Sequence, residues 1–163
     1  MSSRAASEFA IEATAFDEGA SIPARYTCDG ADVSPELTIG GIPEETASLA
    51  LVVDDPDAPG GTFDHWLLWN LPPDTVNLPE EVPHGETVPS LGDARQGENG
   101  FDSVGYRGPC PPTAHGAHTY RFTLYACDSD LDVAGGAAGD EVRSAIRDAQ
   151  IAETRLTGTY DRG

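Results

Sequence analysis

The sequence contains no lysine: its nine basic residues are all arginine, set against 28 acidic ones for a formal charge of -19. Binding to nucleic acid or to anionic membranes needs clustered cations that release counterions, and this balance excludes both as partners. No apolar run approaches the roughly 18 residues that a membrane-spanning helix requires. The N-terminal stretch MSSRAASEFAIEA lacks the apolar segment, roughly 7–15 residues long, of a secretory signal, so a cytoplasmic setting is expected. Cysteine is scarce too. Cys28, Cys110 and Cys127 form no CxxC pair and leave at least one thiol free. Reduced, buried thiols are the expectation in a cytoplasm, with a Cys28–Cys110 disulfide as the alternative. Absent also are a G-x-S-x-G nucleophile elbow and an H-E-x-x-H zinc motif.

What the chain does have is a core. Its 163 residues suit one domain, and 39% apolar residues are too many for a disordered chain. The acidic residues are scattered rather than gathered into a tail. They read as a solvated surface of the halophilic kind, with stability falling at low salt as like charges repel.

The pattern predicts a mainly β domain with no internal repeat. FAIEATAF, within Glu8 to Phe16, reads as a first strand, Leu37-Thr38-Ile39 as a second, and Ser48 to Val53 as a buried third. In Thr119 to Cys127, Tyr120, Phe122, Leu124 and Ala126 alternate with Thr119, Arg121, Thr123 and Tyr125, a clear period of two. Asp140 to Ala149 reads as the one α-helix, with Asp140 as N-cap and Val142, Ala145, Ile146 and Ala149 on one face. Its two Arg and Asp148 are expected to face solvent. Ile151 to Tyr160 reads as the last strand. Between Pro72 and Gly116 the chain is rich in Pro and Gly and reads as one long ordered loop, anchored by Phe101, Val104 and Tyr106. Together these predict antiparallel sheet with a C-terminal helix packed on it.

The stretch Leu51 to Pro73, LVVDDPDAPGGTFDHWLLWNLPP, is the organising element. Two apolar runs flank a Pro- and Gly-rich break that no helix can cross, so it reads as strand, loop, strand, with Asp54, Asp55, Asp57 and His65 on the loop at the rim of the core. A second such segment, GYRGPCPPTAHGAHTY at 105–120, also ends in His at the start of a strand. If the strands at 66–70 and 119–127 are neighbours, His65 and His118 meet. Imidazoles at a loop mouth can bind an anion; the alternative is that both merely end strands at the surface. Sharper motifs fail on spacing. Asp55-Pro56-Asp57 begins like a calcium loop, but the twelfth position is Trp66 where a Glu is needed. Pro109-Cys110 begins like a zinc deaminase motif, but Thr113 stands where its second Cys belongs. Gly116 and the nearby Pro pair argue against a ligand-bearing helix at His115 and His118. No metal, cofactor or catalytic role is expected.

D-P-D-A-P at 55–59, H-W-L-L-W-N at 65–70, G-Y-R-G-P-C-P-P at 105–112 and H-T-Y at 118–120 resemble the phosphatidylethanolamine-binding protein family. The likeness is to its bacterial and archaeal, Raf kinase inhibitor-like branch. Y-T-C-D-G at 26–30, S-P-E-L at 34–37 and L-T-G-T-Y at 156–160 fit in the same order. The resemblance implies a large antiparallel sheet packed with a smaller one, plus short helices including the C-terminal one. It implies a non-enzymatic binding protein with a small pocket for an anion such as phosphate or a phosphoethanolamine head. By position the pocket residues are Asp55, Pro56, Asp57, Pro59, His65, Gly108, Pro111, Pro112, His118 and Tyr120. Where the family usually carries Arg between that His and Tyr, this chain has Thr119, with Arg121 one place later, and His115 is an extra imidazole. The resemblance also implies a second role, a protein-interaction module inhibiting a kinase or serine protease through the 72–116 loop, and a homodimer. Ending at Gly163, the chain is expected to have a more open pocket than eukaryotic members. Loop N–H groups near Gly108, with His65 and His118, are expected to hold the anion. Asp55 would oppose it unless bonded to His or to an ammonium, which favours a zwitterionic ligand or binding below the His pKa.

Overall fold

A computed structural model describes residues 8–162; residues 1–7, part of the stretch read for a secretory signal, lie outside them. The strands are β1 (Ala10–Ala13), β2 (Leu37–Gly40), β3 (Ser48–Asp55), β4 (Phe63–Leu71), β5 (Asn77–Leu78), β6 (Thr87–Val88), β7 (Ala94–Gln96), β8 (His118–Cys127) and β9 (Gln150–Tyr160). Among the described residues one α-helix, α1 (Gly139–Ala149), and 3-10 turns at Ala24–Tyr26 and Pro89–Leu91 accompany the strands. The strands form a six-stranded sheet in the order β6-β7-β4-β3-β8-β9 and a three-stranded sheet, β1-β2-β5, with every strand pair antiparallel.

Alternation explains the layering. Along β3, Leu49, Leu51 and Val53 enter one core with Trp66 and Leu68 of β4 and Phe122 and Leu124 of β8; Ile11, Leu37, Ile39 and Leu78 close it from the small sheet. Ala50 and Val52 enter a second core with Leu67, Trp69, Leu131 and Val133, closed by Val142, Ile146 and Ala149 of α1. The large sheet is therefore covered on both faces, and all of β3 from Ser48 to Asp55 is buried. This is the expected mainly β fold of two antiparallel sheets with a helix near the C-terminus.

Several expectations are corrected. The 72–116 segment holds β5, β6 and β7, strands of two or three residues that are too short to show a period. Its most buried anchor is Tyr106, with its hydroxyl donating to the Tyr26 carbonyl at 2.6 Å; Phe101 is partly exposed yet packs its ring 4.8 Å from that of Phe63, and Val104 bridges to Glu98. The N-cap of α1 is Ala138, which puts Asp140 in the first turn, where its charge favours the helix N-terminus. Arg143 does not face solvent: it bonds Asp54 of β3 at 2.8 Å and Asp64 of β4 at 2.7 Å.

The thiols expected to be reduced are joined: Cys28 and Cys110 form a disulfide across 82 residues. The segment after Tyr106 folds back onto the 3-10 turn, where the Cys28 N–H donates to the Pro109 carbonyl at 3.1 Å. That return brings the two sulfurs together. Cys127 is the free thiol, buried in the second core, where desolvation and the charge of Asp128 push its pKa up to about 11.

Candidate functional site

The loop between β3 and β4 is shorter than expected. Strand β3 continues through Asp54 and Asp55, and β4 already includes His65. The strands carrying the two histidines are not neighbours either, because β3 lies between β4 and β8. Asp55, at the end of that middle strand, is thereby placed between His65 and His118, and all three side chains are buried. Neither His is a surface strand end.

Around them is a cavity of about 250 Å³, lined by Asp55, Ala58, Pro59, Phe63, His65, Phe101, Cys110, Pro111, Pro112, His118 and Tyr120. Seven of the ten residues expected at the pocket line it; Pro56, Asp57 and Gly108 do not. Asp57 is exposed and accepts the Thr119 N–H at 2.8 Å, which ties the β3–β4 loop to the start of β8. Gly108 supports the wall from behind. A Cβ there would lie 2.0 Å from the Tyr26 carbonyl oxygen, so only glycine lets the loop pack this closely. Four wall residues were missed. Phe63 falls in the stretch read as loop, Phe101 reads as a loop anchor, Cys110 as a failed metal ligand, and Ala58 lies within D-P-D-A-P without being singled out.

The polar groups are arranged in a chain. Asp55 Oδ1 accepts the Asp57 N–H at 2.8 Å, an Asx turn that fixes the carboxylate. Its Oδ2 lies 2.6 Å from His118 Nδ1. A carboxylate accepts, so that nitrogen carries the proton. His118 Nε2 lies 2.6 Å from Nδ1 of His115, and one proton serves that pair. The extra imidazole thus caps the His118 ring.

His65 is held differently. Its Nδ1 lies 2.7 Å from the Arg107 carbonyl oxygen, which can only accept, so Nδ1 is the N–H and Nε2 carries the lone pair. Burial pushes this imidazole below its ordinary pKa, against smaller upward pulls from the Arg107 carbonyl and the charges of Asp55, Asp32 and Asp54. The ring packs edge-on against Phe63, Phe101 and Tyr120, with centroids 5.2, 5.8 and 5.3 Å away. Tyr120 buries its hydroxyl, which meets no partner at good hydrogen-bond geometry among the described residues. Burial, the charges of Asp55 and Asp57, and the closeness of its O–H to the Asp55 carboxylate raise its pKa, so it remains an O–H donor.

The loop amides do not serve as expected. The Gly108 N–H donates to Asp32 Oδ1 at 2.7 Å, and Pro109, Pro111 and Pro112 have no N–H to give. Arg121 bonds Asp54 at 2.8 and 3.1 Å and is not part of the lining. Arg107 pairs with Asp32 at 3.1 Å, its guanidinium 4.8 Å over the Phe101 ring. Among the described residues no Arg lines the cavity, no group of His, Cys, Asp and Glu is arranged to hold a metal ion, and no helix is long and apolar enough to cross a membrane.

A family profile described as phosphatidylethanolamine-binding protein matches residues 12–161. The chain belongs to the phosphatidylethanolamine-binding protein family. A UPF0098 protein of Methanothermobacter thermautotrophicus is 44% identical over 153 residues, 94% of this chain and 99% of that protein. The crystal structure of Escherichia coli YbcL, described as a new member of the mammalian family, superposes with a TM-score of 0.87 at 31% identity, covering 94% of this chain and 98% of YbcL. A carboxypeptidase Y inhibitor, solved in complex with its cognate proteinase, matches at a TM-score of 0.57 and 14% identity, covering 95% of this chain and 84% of that one; this likeness is one of fold. As a member of the phosphatidylethanolamine-binding protein family the chain is a binding protein.

Proposed function

We propose that the protein binds, without catalysis, a small ligand with a phosphate-like or phosphoethanolamine-like head in the cavity at the ends of β3, β4 and β8. The observation that carries this reading is the convergence of Asp55, His65, His118 and Tyr120, drawn from three strands, on one cavity of about 250 Å³. That volume lies just below the usual range for drug-sized ligands and suits a head group rather than a whole lipid. Phe63, Phe101 and the prolines supply apolar walls, and the buried polar groups fix orientation. Asp55 is bonded to His118 and to the Asp57 amide, so its opposition to an anion is blunted. A few charge-assisted hydrogen bonds of about 1.5–3 kcal/mol each would give micromolar to millimolar affinity.

Calorimetric titration with phosphoethanolamine and with inorganic phosphate, on the wild type and His118→Ala, tests the reading. Binding by the wild type that weakens about tenfold or more in the variant supports it. Equal binding by both proteins, or none by either, ends it.

The second reading is a protein-interaction module that inhibits a kinase or serine protease. In its favour Phe101, at the cavity wall, is 37% exposed and stacked under Arg107, an aromatic contact open to a partner. Protease and kinase assays with and without phosphoethanolamine separate the two readings. The acidic surface belongs to a further proposal, that the molecule works at high salt.

A further inference from the structure

Resting on the ligand-binding reading above, the donors and acceptors of the cavity bear on the protonation state in which the ligand binds. Both nitrogens of His118 are engaged, one with Asp55 and the other with His115. The Gly108 N–H is spent on Asp32. Among the described lining residues the side-chain donor that remains is the Tyr120 hydroxyl, which lies beside the Asp55 carboxylate. His65, also in the lining, offers an acceptor: its Nδ1 donates to the Arg107 carbonyl, which leaves the lone pair on Nε2. No guanidinium among the described residues lines the site to neutralise a second negative charge.

A fully ionised oxyanion would set oxygen lone pairs against the His65 lone pair. A head group that keeps one O–H resolves the conflict: that O–H donates to His65 Nε2 while another of its oxygens accepts from Tyr120. We propose that the cavity binds a phosphoryl or phosphonyl head group as its monoanion, with one proton held between a ligand oxygen and His65 Nε2. The proton comes with the ligand or from solvent, and no bond to phosphorus is made or broken. Phosphate monoesters lose their second proton near pH 6, so retaining it costs little near neutrality. Sulfonates and sulfate esters have no proton to offer there. The site is thus selective for phosphorus over sulfur oxyanions of the same shape.

The groups that bias this proton come from every side of the ring: Asp54 and Asp55 on β3, His118 and Tyr120 on β8, and Asp32 with Arg107 on the returning loop. Burial holds His65 neutral against the pull of the carboxylates. The bound proton therefore depends on the ligand oxygen being present.

Phenylphosphonate and benzenesulfonate share a ring and differ in this proton, and calorimetry in buffers of different ionisation enthalpy counts protons taken up. The expected result is uptake of about one proton per phenylphosphonate at alkaline pH, with affinity falling about tenfold per pH unit between roughly pH 8 and 9. Benzenesulfonate is expected to bind at least about tenfold more weakly at neutral pH. His65→Gln should flatten the pH dependence. Binding of phenylphosphonate with no proton uptake and level affinity, or benzenesulfonate as tight as phenylphosphonate, overturns the inference while leaving the ligand-binding reading in place. Failure of phenylphosphonate, inorganic phosphate and phosphoethanolamine alike to bind removes both.

Discussion

Asp55 and His118 are 63 residues apart and joined at 2.6 Å, each almost wholly shielded from solvent. Removing one partner strands the other. His118→Ala is expected to lower the unfolding free energy by about 3 kcal/mol, because a buried carboxylate loses its bond. Adding Asp55→Asn should cost less than its single effect, since the stranded charge goes with it. Urea unfolding of the two single variants and the double variant measures the coupling; strict additivity would mean that the two side chains have no net interaction energy.

Gly108 touches no ligand space yet governs the cavity wall. Gly108→Ala forces the loop off the Tyr26 carbonyl, at a cost of about 1–3 kcal/mol for overpacking. The displaced wall should also weaken phosphoethanolamine binding. An alanine variant with wild-type stability and affinity would show that the close approach is dispensable.

The Cys28–Cys110 bond closes a long loop, and its loss is expected to cost about 2–4 kcal/mol. Reductant should lower the urea midpoint of the wild type and leave the variant with both cysteines changed to serine unaffected. Identical midpoints for the wild type with and without reductant would count against a stabilising bond.

Acid should destabilise the fold. Buried His65 has its pKa lowered on folding, so below about pH 6.5 the unfolded chain binds a proton that the folded one refuses, and stability falls as pH drops through that value. Glu80 acts in the same direction further down. Hydrogen bonds from Arg25 and Tyr26 hold its pKa near about 2, so its contribution is present above the ordinary Glu range and fades as pH falls towards 2. Thermal melts from neutral to acid pH check this, and His65→Gln should remove the upper part of the slope. A melting temperature that rises on acidification would contradict it.

With a formal charge of -19, the melting temperature should climb as potassium chloride is raised from about 0.1 M to molar levels, as screening relaxes repulsion between carboxylates. A flat response would leave the acidic surface without a role in salt adaptation.

The pattern of side chains reported β8 and α1 well because each is long enough to show its period: Tyr120, Phe122, Leu124 and Ala126 do share a core, and Val142, Ile146 and Ala149 do cover the other face. Strands such as Asn77–Leu78 exist only through their partners and carry no period of their own. The motifs pointed to Asp55, His65, His118 and Tyr120 together, but not to how they meet. That depends on β3 inserting between β4 and β8, a long-range choice with no local signature. The Arg143 bridge to Asp54 and Asp64 and the aromatic wall of Phe63 and Phe101 are hidden for the same reason, and the Cys28–Cys110 disulfide could be named only as an alternative to reduced thiols.

The place of β3 has a temporal consequence. Its one flank is satisfied by β4, the next strand in the chain, but its other flank waits for β8. While the chain is being made, β3 therefore carries an open row of backbone donors and acceptors until His118 and the residues after it emerge. Pairings of such separation close slowly, in milliseconds to seconds for β-rich domains. The cup at the strand ends is among the last parts of the molecule to take shape, and a nascent chain halted before β8 has every reason to pair with a neighbour instead.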